Sequence, residues 1–287
     1  MADSKSARKL TPALRGKTIA IVGGGNMGQA LLQGLFATGV PASRLLVVEA
    51  NPAARAGVVA RFRVQATGLE QAVERADLVM LAVKPQDMML VLQAARTAAE
   101  ARRFRPLFVS IAAGLQLKAL ERVLRRCPVV RVMPNLPAKV GCGVSALAGG
   151  RWVTAAHLKM ARAMFACVGE VVEVPERLFD VVTAVSGSGP AYIFLILEAL
   201  RDAGIRGGLS KTIAERLAVR TALGSAQLVE ALGVPLETLI AQVASKGGTT
   251  EAALRVFRAR GLASVIQAGV GAAARRSREL SLLLSQA

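Results

Sequence analysis

The stretch Thr18-Ile-Ala-Ile-Val-Gly-Gly-Gly-Asn-Met-Gly-Gln-Ala-Leu-Leu32 runs as an apolar strand into a glycine turn and leaves it as a helix. Its glycines fall in the pattern G-x-G-x-x-G at Gly23, Gly25 and Gly28. Between a strand and a helix each has its own task. Gly23 permits the tight turn, Gly25 lets a pyrophosphate approach the backbone, and Gly28 lets the helix pack on the strand. Asn26 and Met27 open the helix, whose free N–H groups suit a phosphate. The next apolar run, Leu45-Leu-Val-Val48, ends at Glu49, about 20 residues on, where an acid accepts ribose hydroxyls. Asn51 and Arg55 follow, and Arg55 can pair with a 2′-phosphate if Glu49 points away. An ordinary glycine-rich turn is the bland alternative; the flanking strand, helix and acid argue for a dinucleotide site.

A chain of 287 residues that is 53% hydrophobic has room for two domains with substantial cores. Residues 1–17 are polar and basic without an apolar centre, which reads as a flexible basic tail rather than a secretory signal. The longest uncharged apolar stretch, Val181 to Leu197, is interrupted by Ser186-Gly-Ser-Gly-Pro190 and is short for a spanning helix, so no membrane segment is expected. Cys127, Cys142 and Cys167 lie far apart and His157 is the single histidine. That composition offers no metal site and no Ser-His or Cys-His arrangement, and it suits a reducing, cytoplasmic setting. The formal charge of +18 invites a nucleic-acid reading, but the basic residues are scattered and aromatic residues make up only 3%. No stacking platform results, and no specific nucleic-acid partner is expected.

Apolar runs at 45–49, 78–83, 107–111 and 129–133 alternate with helical patterns at 52–61, 88–101 and 117–124. This order predicts right-handed β-α-β units and a mostly parallel sheet, extended at its edge by 144–148 and 170–174 around a helix at 154–166. After Pro175 the strand signal stops and helices follow at 176–185, 191–203, 211–232, 236–243, 250–258 and 262–284, with Ser210 placed to cap one of them. The expected fold class is therefore an α/β Rossmann-type domain over 18–174, followed by an all-α domain over 175–287. Ligands in an open parallel sheet bind beyond the carboxyl ends of the strands. The loops Ala82-Val83-Lys84-Pro85, Ile111-Ala112-Ala113-Gly114 and Met133-Pro-Asn135 sit there, with Lys84 suited to a phosphate and Asn135 to an amide or to capping its own turn. In the helical half, Ser245-Lys-Gly-Gly-Thr-Thr250 places hydroxyls and N–H groups at a helix start, suited to a carboxylate or to plain capping. Ser186-Gly-Ser-Gly-Pro190 is a second such site or a break between packed helices. No isolated acid or base stands out, which favours hydride transfer to a protonated C=N over carbonyl reduction.

These residues carry a resemblance. Gly23-Gly-Gly-Asn-Met-Gly28, Ala82-Val-Lys-Pro85, Ile111-Ala-Ala-Gly114, Met133-Pro-Asn135, Val182-Thr-Ala-Val-Ser-Gly-Ser-Gly-Pro-Ala-Tyr192 and Gly247-Gly-Thr-Thr250 make the chain similar to the pyrroline-5-carboxylate reductases, from Thr18 to about Leu284. The resemblance implies reduction of 1-pyrroline-5-carboxylate, a cyclic imine, to L-proline with NADPH or NADH. It implies a helical dimerisation domain and a homodimer, often assembled into a decamer. It places the substrate carboxylate on Val243, Ser245, Gly248, Thr249 and Thr250, with Thr250 nearest the ring nitrogen and so the catalytic candidate. The loops Ala82–Pro85 and Ala112–Gly114 would line the cofactor. Lys246 stands where the family usually has Pro, Leu136 where Thr is usual, Leu69 in place of an Asn, and Ala50 where Arg is frequent. Since Ala50 removes an arginine near the ribose, NADH is expected to serve at least comparably to NADPH. A related 3-hydroxyacid dehydrogenase would need a lysine on the first helix of the second domain, and Glu176 to Leu200 has none. A basic Rossmann protein that binds nucleic acid without catalysis is the alternative from another class.

Overall fold

The structure, a computed structural model, describes residues 11–286. Eight strands form one sheet in the order β3-β2-β1-β4-β5-β6-β7-β8. They are β1 (Ile19–Val22), β2 (Leu45–Val48), β3 (Gln65–Ala66), β4 (Leu78–Leu81), β5 (Leu107–Ser110), β6 (Val129–Met133), β7 (Gly143–Gly149) and β8 (Gly169–Glu173). The first six run parallel, with Ile19 beside Leu45 on one flank and Leu78 on the other. β7 joins β6 antiparallel and β8 follows β7 in parallel. β1, β4 and β5 are buried at every residue, as strands covered on both faces must be. Alternate residues feed opposite faces: Ile19, Ile21, Val47 and Met80 join one core, and Ala20, Val22, Leu46 and Phe108 the other.

The covering helices are α1 (Asn26–Ala37), α2 (Pro52–Phe62), α3 (Leu69–Arg75), α4 (Pro85–Glu100), α5 (Leu117–Leu124) and α6 (Ala155–Ala166). α3 and β3 are additions to the sequence reading. α3 has only seven residues and buries Ala72 and Val73, too short a pattern to stand out by periodicity. The tail expected over 1–17 needs correction in its second half. Residues 1–10 lie outside the described residues, but Pro12–Leu14 form a helical turn whose Leu14 is buried in the core, and Lys17 pairs with Asp77 at 3.1 Å. Cys142 is exposed, unlike Cys127 and Cys167.

His157 has a structural role. In α6 Thr154 is the N-cap: its hydroxyl accepts the His157 N–H at 3.3 Å, and the Thr154 N–H donates to His157 Nδ1 at 3.2 Å. This is a capping box with imidazole in the place of the usual Glu or Gln. Nδ1 accepts only while the ring is neutral, and burial lowers the His157 pKa from 6.5. The unfolded chain then binds more protons at this site, so its contribution to stability is complete above the unfolded pKa and declines as pH falls through it. His157→Gln is expected to flatten the melting temperature between pH 7 and pH 5; an unchanged pH profile would refute this role.

Past the sheet, Glu176–Arg206 is one 31-residue helical run, made of a 3-10 turn, α7 (Phe179–Val182), a π-helical turn at Thr183–Gly187 and α8 (Gly189–Arg206). The break expected at Ser186–Pro190 takes the form of this π-turn and a bend at Ser188 rather than a loop, and the division of the chain into compact units falls there, between Gly187 and Ser188. Pro190 sits in the first turn of α8, where a missing N–H costs nothing, and the hydroxyls of Thr183 and Ser186 take the carbonyls of Phe179 and Val182 at 2.7 and 3.0 Å. By length and composition the helical run nonetheless suffices to cross a membrane. The remaining helices are α9 (Lys211–Leu232), α10 (Leu236–Val243), α11 (Thr249–Ala259) and α12 (Leu262–Gln286). Ser210 caps α9, accepting the Ile213 N–H at 3.4 Å.

The chain divides into two compact units. One holds the residues up to Gly187 together with those from Ala273 onward, and the other is Ser188–Ala272. The sheet ends near Pro175, but the chain stays with it for twelve more residues because Phe179 and Ala184 are buried. The end of α12 belongs there too: Ser277 donates to Asp180 at 2.7 Å, and Leu284 packs beside the core. In the second unit α8 and α9 pack closely, with Gly204 facing Ala214. Many of its large apolar side chains are about half exposed or more, among them Ile193, Phe194, Leu195 and Leu217.

Candidate functional site

The loops after β1, β2, β4, β5 and β6 share one edge of the sheet because these strands are parallel and in register. Gly23 adopts φ +107° and its N–H donates to the Val48 carbonyl at 2.8 Å. A Cβ here would lie 2.6 Å from the Ala82 carbonyl oxygen, so both backbone angle and space demand glycine. Gly28 is equally constrained, since its Cβ would come within 2.2 Å of the Gly23 oxygen. Gly25 differs: a Cβ would meet nothing within 4 Å. It is the N-cap of α1 and brings no side-chain cap, so the first N–H groups of α1, at Asn26 and Met27, border open space. Such a helix start suits an anion such as a pyrophosphate by charge. Gln29, which the sequence reading passed over, braces it by donating Nε2 to the Gly24 carbonyl at 2.8 Å.

Glu49 accepts the Gly24 N–H at 2.7 Å on one carboxylate oxygen and the Asn51 N–H at 2.9 Å on the other. The acid therefore ties the glycine turn to the loop after β2. Asn51 in turn is the N-cap of α2, its Oδ1 accepting the Ala54 N–H at 2.9 Å. Arg55 lies exposed in the first turn of α2. Because Glu49 holds the turn, Glu49→Ala would loosen it and blur any effect on coenzyme choice. Glu49→Gln keeps an acceptor and removes the charge. We expect it to shift the kcat/KM ratio towards NADPH over NADH by about tenfold, roughly 1.4 kcal/mol; an unchanged ratio would place Glu49 away from the ribose 2′ position.

The loop after β4 begins with the Ala82 N–H donating to Val22 at 2.7 Å, passes Val83 and reaches the N-cap Lys84, exposed, before Pro85 opens α4. After β5, Ala112 is buried and Ala113 exposed. Gly114 has φ +78° and a Cβ there would lie 2.9 Å from Leu284 Cδ1, so this glycine admits the end of α12. After β6, Asn135 does not cap its own turn; its Oδ1 accepts the Val144 N–H at 3.0 Å and pins the loop to β7.

In the second unit, Val243 closes α10 and is 66% exposed. The chain turns at Gly247, φ +73°, and α11 starts after the N-cap Gly248 without a side-chain cap. Ser245 Oγ lies where a Cβ on Gly248 would come within 2.4 Å, so Gly248 lets the serine fold over the turn. The hydroxyls of Thr249 and Thr250 are not used as caps, which sets aside the bland reading of these residues. Glu251, unremarked in the sequence, accepts the Gly247 N–H and braces the turn from inside the helix.

The comparisons with known proteins agree on one family. A family model described as pyrroline-5-carboxylate reductase dimerisation matches residues 176–280, and one described as NADP oxidoreductase, coenzyme F420-dependent, matches 18–114. The first includes the whole of the long apolar helical run. Among curated relatives, pyrroline-5-carboxylate reductase of Mycobacterium leprae is 43% identical, covering 92% of this chain and 97% of the relative. That of Pseudomonas aeruginosa is 41% identical, over 93% and 98%. Among solved structures, a pyrroline-5-carboxylate reductase from Coxiella burnetii superposes with a TM-score of 0.87 at 33% identity, covering 92% of this chain and 98% of that one. The Plasmodium falciparum enzyme, solved with NADP bound, gives a TM-score of 0.82 at 27% identity, over 93% and 98%. With its glycine turn, sheet order and helical second half matched along nearly the whole length, the chain belongs to the pyrroline-5-carboxylate reductase family.

Proposed function

We propose that the loop from Val243 to Thr250 holds the carboxylate and ring nitrogen of 1-pyrroline-5-carboxylate while the edge bearing Gly23–Gly28 holds NAD(P)H, so that the chain reduces the imine to L-proline. The observation that carries this reading is the start of α11, where an uncapped helix end gathers backbone N–H groups, Ser245 and two threonine hydroxyls on a glycine turn. Bound NAD(P)H supplies the hydride. The protein's part is positioning and the exclusion of water. Helix-end N–H groups and the hydroxyls of Ser245 and Thr249 neutralise the substrate carboxylate. The Thr250 hydroxyl hydrogen-bonds the ring nitrogen, which is already protonated in the reactive iminium, so no strong general acid is required. In the first unit, the α1 N–H groups would meet the pyrophosphate, Lys84 would offer charge to a phosphate, and Ala112, Ala113 and Asn135 would border the reactive end of the coenzyme. We place the enzyme in the cytoplasm and infer that its dimers assemble further, into a decamer.

Thr250→Val tests the substrate half. It removes a hydroxyl at nearly constant shape, and losing a hydrogen bond to a charged group costs about 1.5–3 kcal/mol. The expected fall in kcat/KM is roughly tenfold to a hundredfold, with coenzyme affinity unchanged. Wild-type kinetics in the folded variant would remove Thr250 from the mechanism.

A further inference from the structure

We propose that the π-helical turn Thr183–Gly187 is a positioning element for hydride transfer, acting through Met133 at the ligand-binding edge of the sheet. The proposal rests on placing the reactive end of the coenzyme beside the Met133–Asn135 loop.

A π-turn inserts one residue into a helix and leaves carbonyls without their usual partner; such turns persist where the resulting displacement is useful. Here the sequence supplies what the turn needs. Thr183 Oγ1 and Ser186 Oγ donate to the carbonyls four residues back, at 2.7 and 3.0 Å, adding to the backbone bond that the Phe179 carbonyl keeps from the Thr183 N–H, so the widened turn is tied down from within. Its product is Gly187, set against the end of β6: a Cβ on Gly187 would lie 2.7 Å from the Met133 Cε methyl. Met133 is the last residue of β6, half-buried, and leads directly into Pro134 and Asn135. A methionine in open space samples many rotamers. This one has a wall of bare backbone on one side.

The wall is anchored. At the base of the same helix, Glu176 Oε1 accepts from Arg131 Nη1 at 2.9 Å and from the Leu117 N–H at 2.6 Å. Arg131 is almost fully buried in β6, two residues before Met133, with its guanidinium 4.6 Å from the Phe179 ring centroid. Asp180 accepts from Ser277 at 2.7 Å. On the other side of the loop Asn135 is held by Val144. Strand, loop and turn thus form one braced block, in which an added methyl at Gly187 is relieved by the flexible Met133 side chain. Gly187 has a backbone conformation open to alanine, so the substitution tests position rather than folding.

The experiment labels the eight methionine methyls with 13C and identifies Met133 by the signal lost in Met133→Leu. In the wild type, NADPH is expected to move the Met133 methyl resonance upfield, as a ring placed beside it would. In Gly187→Ala that resonance is displaced before any coenzyme is added, NADPH affinity and melting temperature stay near wild type, and kcat falls by about tenfold to a hundredfold, the range of a small misplacement. Combining Gly187→Ala with Met133→Ala is expected to restore part of the lost kcat by removing the collision. Ser186→Ala, which removes the hydroxyl bond to the Val182 carbonyl, serves as the second variant should Gly187→Ala fold poorly, and it too is expected to shift the Met133 methyl. A Met133 signal indifferent to NADPH in the wild type would overturn both the placement of the coenzyme and the proposal. A coenzyme-sensitive Met133 with wild-type turnover in Gly187→Ala, or a loss of kcat that Met133→Ala leaves unrelieved, would overturn the π-turn alone.

Discussion

Gly28→Ala is expected to abolish measurable coenzyme binding at micromolar concentration, a loss of at least about a hundredfold or roughly 2.7 kcal/mol, and to lower the melting temperature. The added Cβ meets the Gly23 carbonyl oxygen at 2.2 Å. That atom is backbone and belongs to a turn already held by Val48 and pressed against Ala82, so α1 must move out or the turn must open. Overpacking of this kind costs about 1–3 kcal/mol in stability, and the anion cradle is lost with it. Gly25→Ala separates the two effects. Its Cβ points into open space and its φ of −72° suits alanine, so the folded protein keeps its melting temperature while the methyl occupies the place of the pyrophosphate. Titration of both variants with NADPH, followed by protein fluorescence and thermal melting, checks the pair. Normal coenzyme affinity in Gly25→Ala would show that the dinucleotide does not cross the N-terminus of α1.

Phe194→Asp is expected to convert the homo-oligomer into an inactive, aggregation-prone monomer. Phe194 is 55% exposed in the single chain and lines an open groove of about 510 Å³ between α8 and α9, with Leu197 and Val219. Such a run of exposed apolar side chains is what a surface covered by a partner looks like, and the dimerisation family match extends over the whole of it. A carboxylate buried there without a partner costs several kcal/mol. An effect of about 4 kcal/mol would raise the dissociation constant roughly a thousandfold. Light scattering at micromolar concentration reads the mass directly. A stable wild-type monomer, or an intact oligomer of Phe194→Asp, would move the subunit contact elsewhere.

The parallel sheet was legible because strands buried on both faces are uninterrupted apolar runs, and β6, α5, α9 and α10 fall at the residues read from the pattern. Two kinds of feature were not legible. Short elements such as α3 bury too few residues to show a period, and Gly68, its N-cap, looks like any loop glycine. The Ser-Gly-Ser-Gly-Pro segment looked like a break because glycine and proline usually punctuate chains. That rule holds in part, as a π-turn and a bend at Ser188, while Pro190, falling in a first turn, lets the helix resume at once. The sequence also marked Glu49, Asn51 and Asn135 as ligands for a cofactor, but could not reveal that each already serves the backbone of a neighbouring loop. Those bonds join residues up to 25 apart in the chain, and only the sheet brings them together. The return of α12 to the first unit is of the same kind: Leu284 beneath Gly114 leaves no trace in either local pattern.

The central claim is hydride transfer from a nicotinamide to a cyclic imine by a protein that positions both and supplies no strong acid. The direct measurement incubates the purified oligomer with 1-pyrroline-5-carboxylate and NADPH or NADH, following the loss of reduced-nicotinamide absorbance while quantifying proline in the same sample. The account predicts one proline formed for each reduced coenzyme consumed, with no consumption when the imine is omitted. Coenzyme binding without proline formation, by protein shown to be folded and oligomeric, would contradict it.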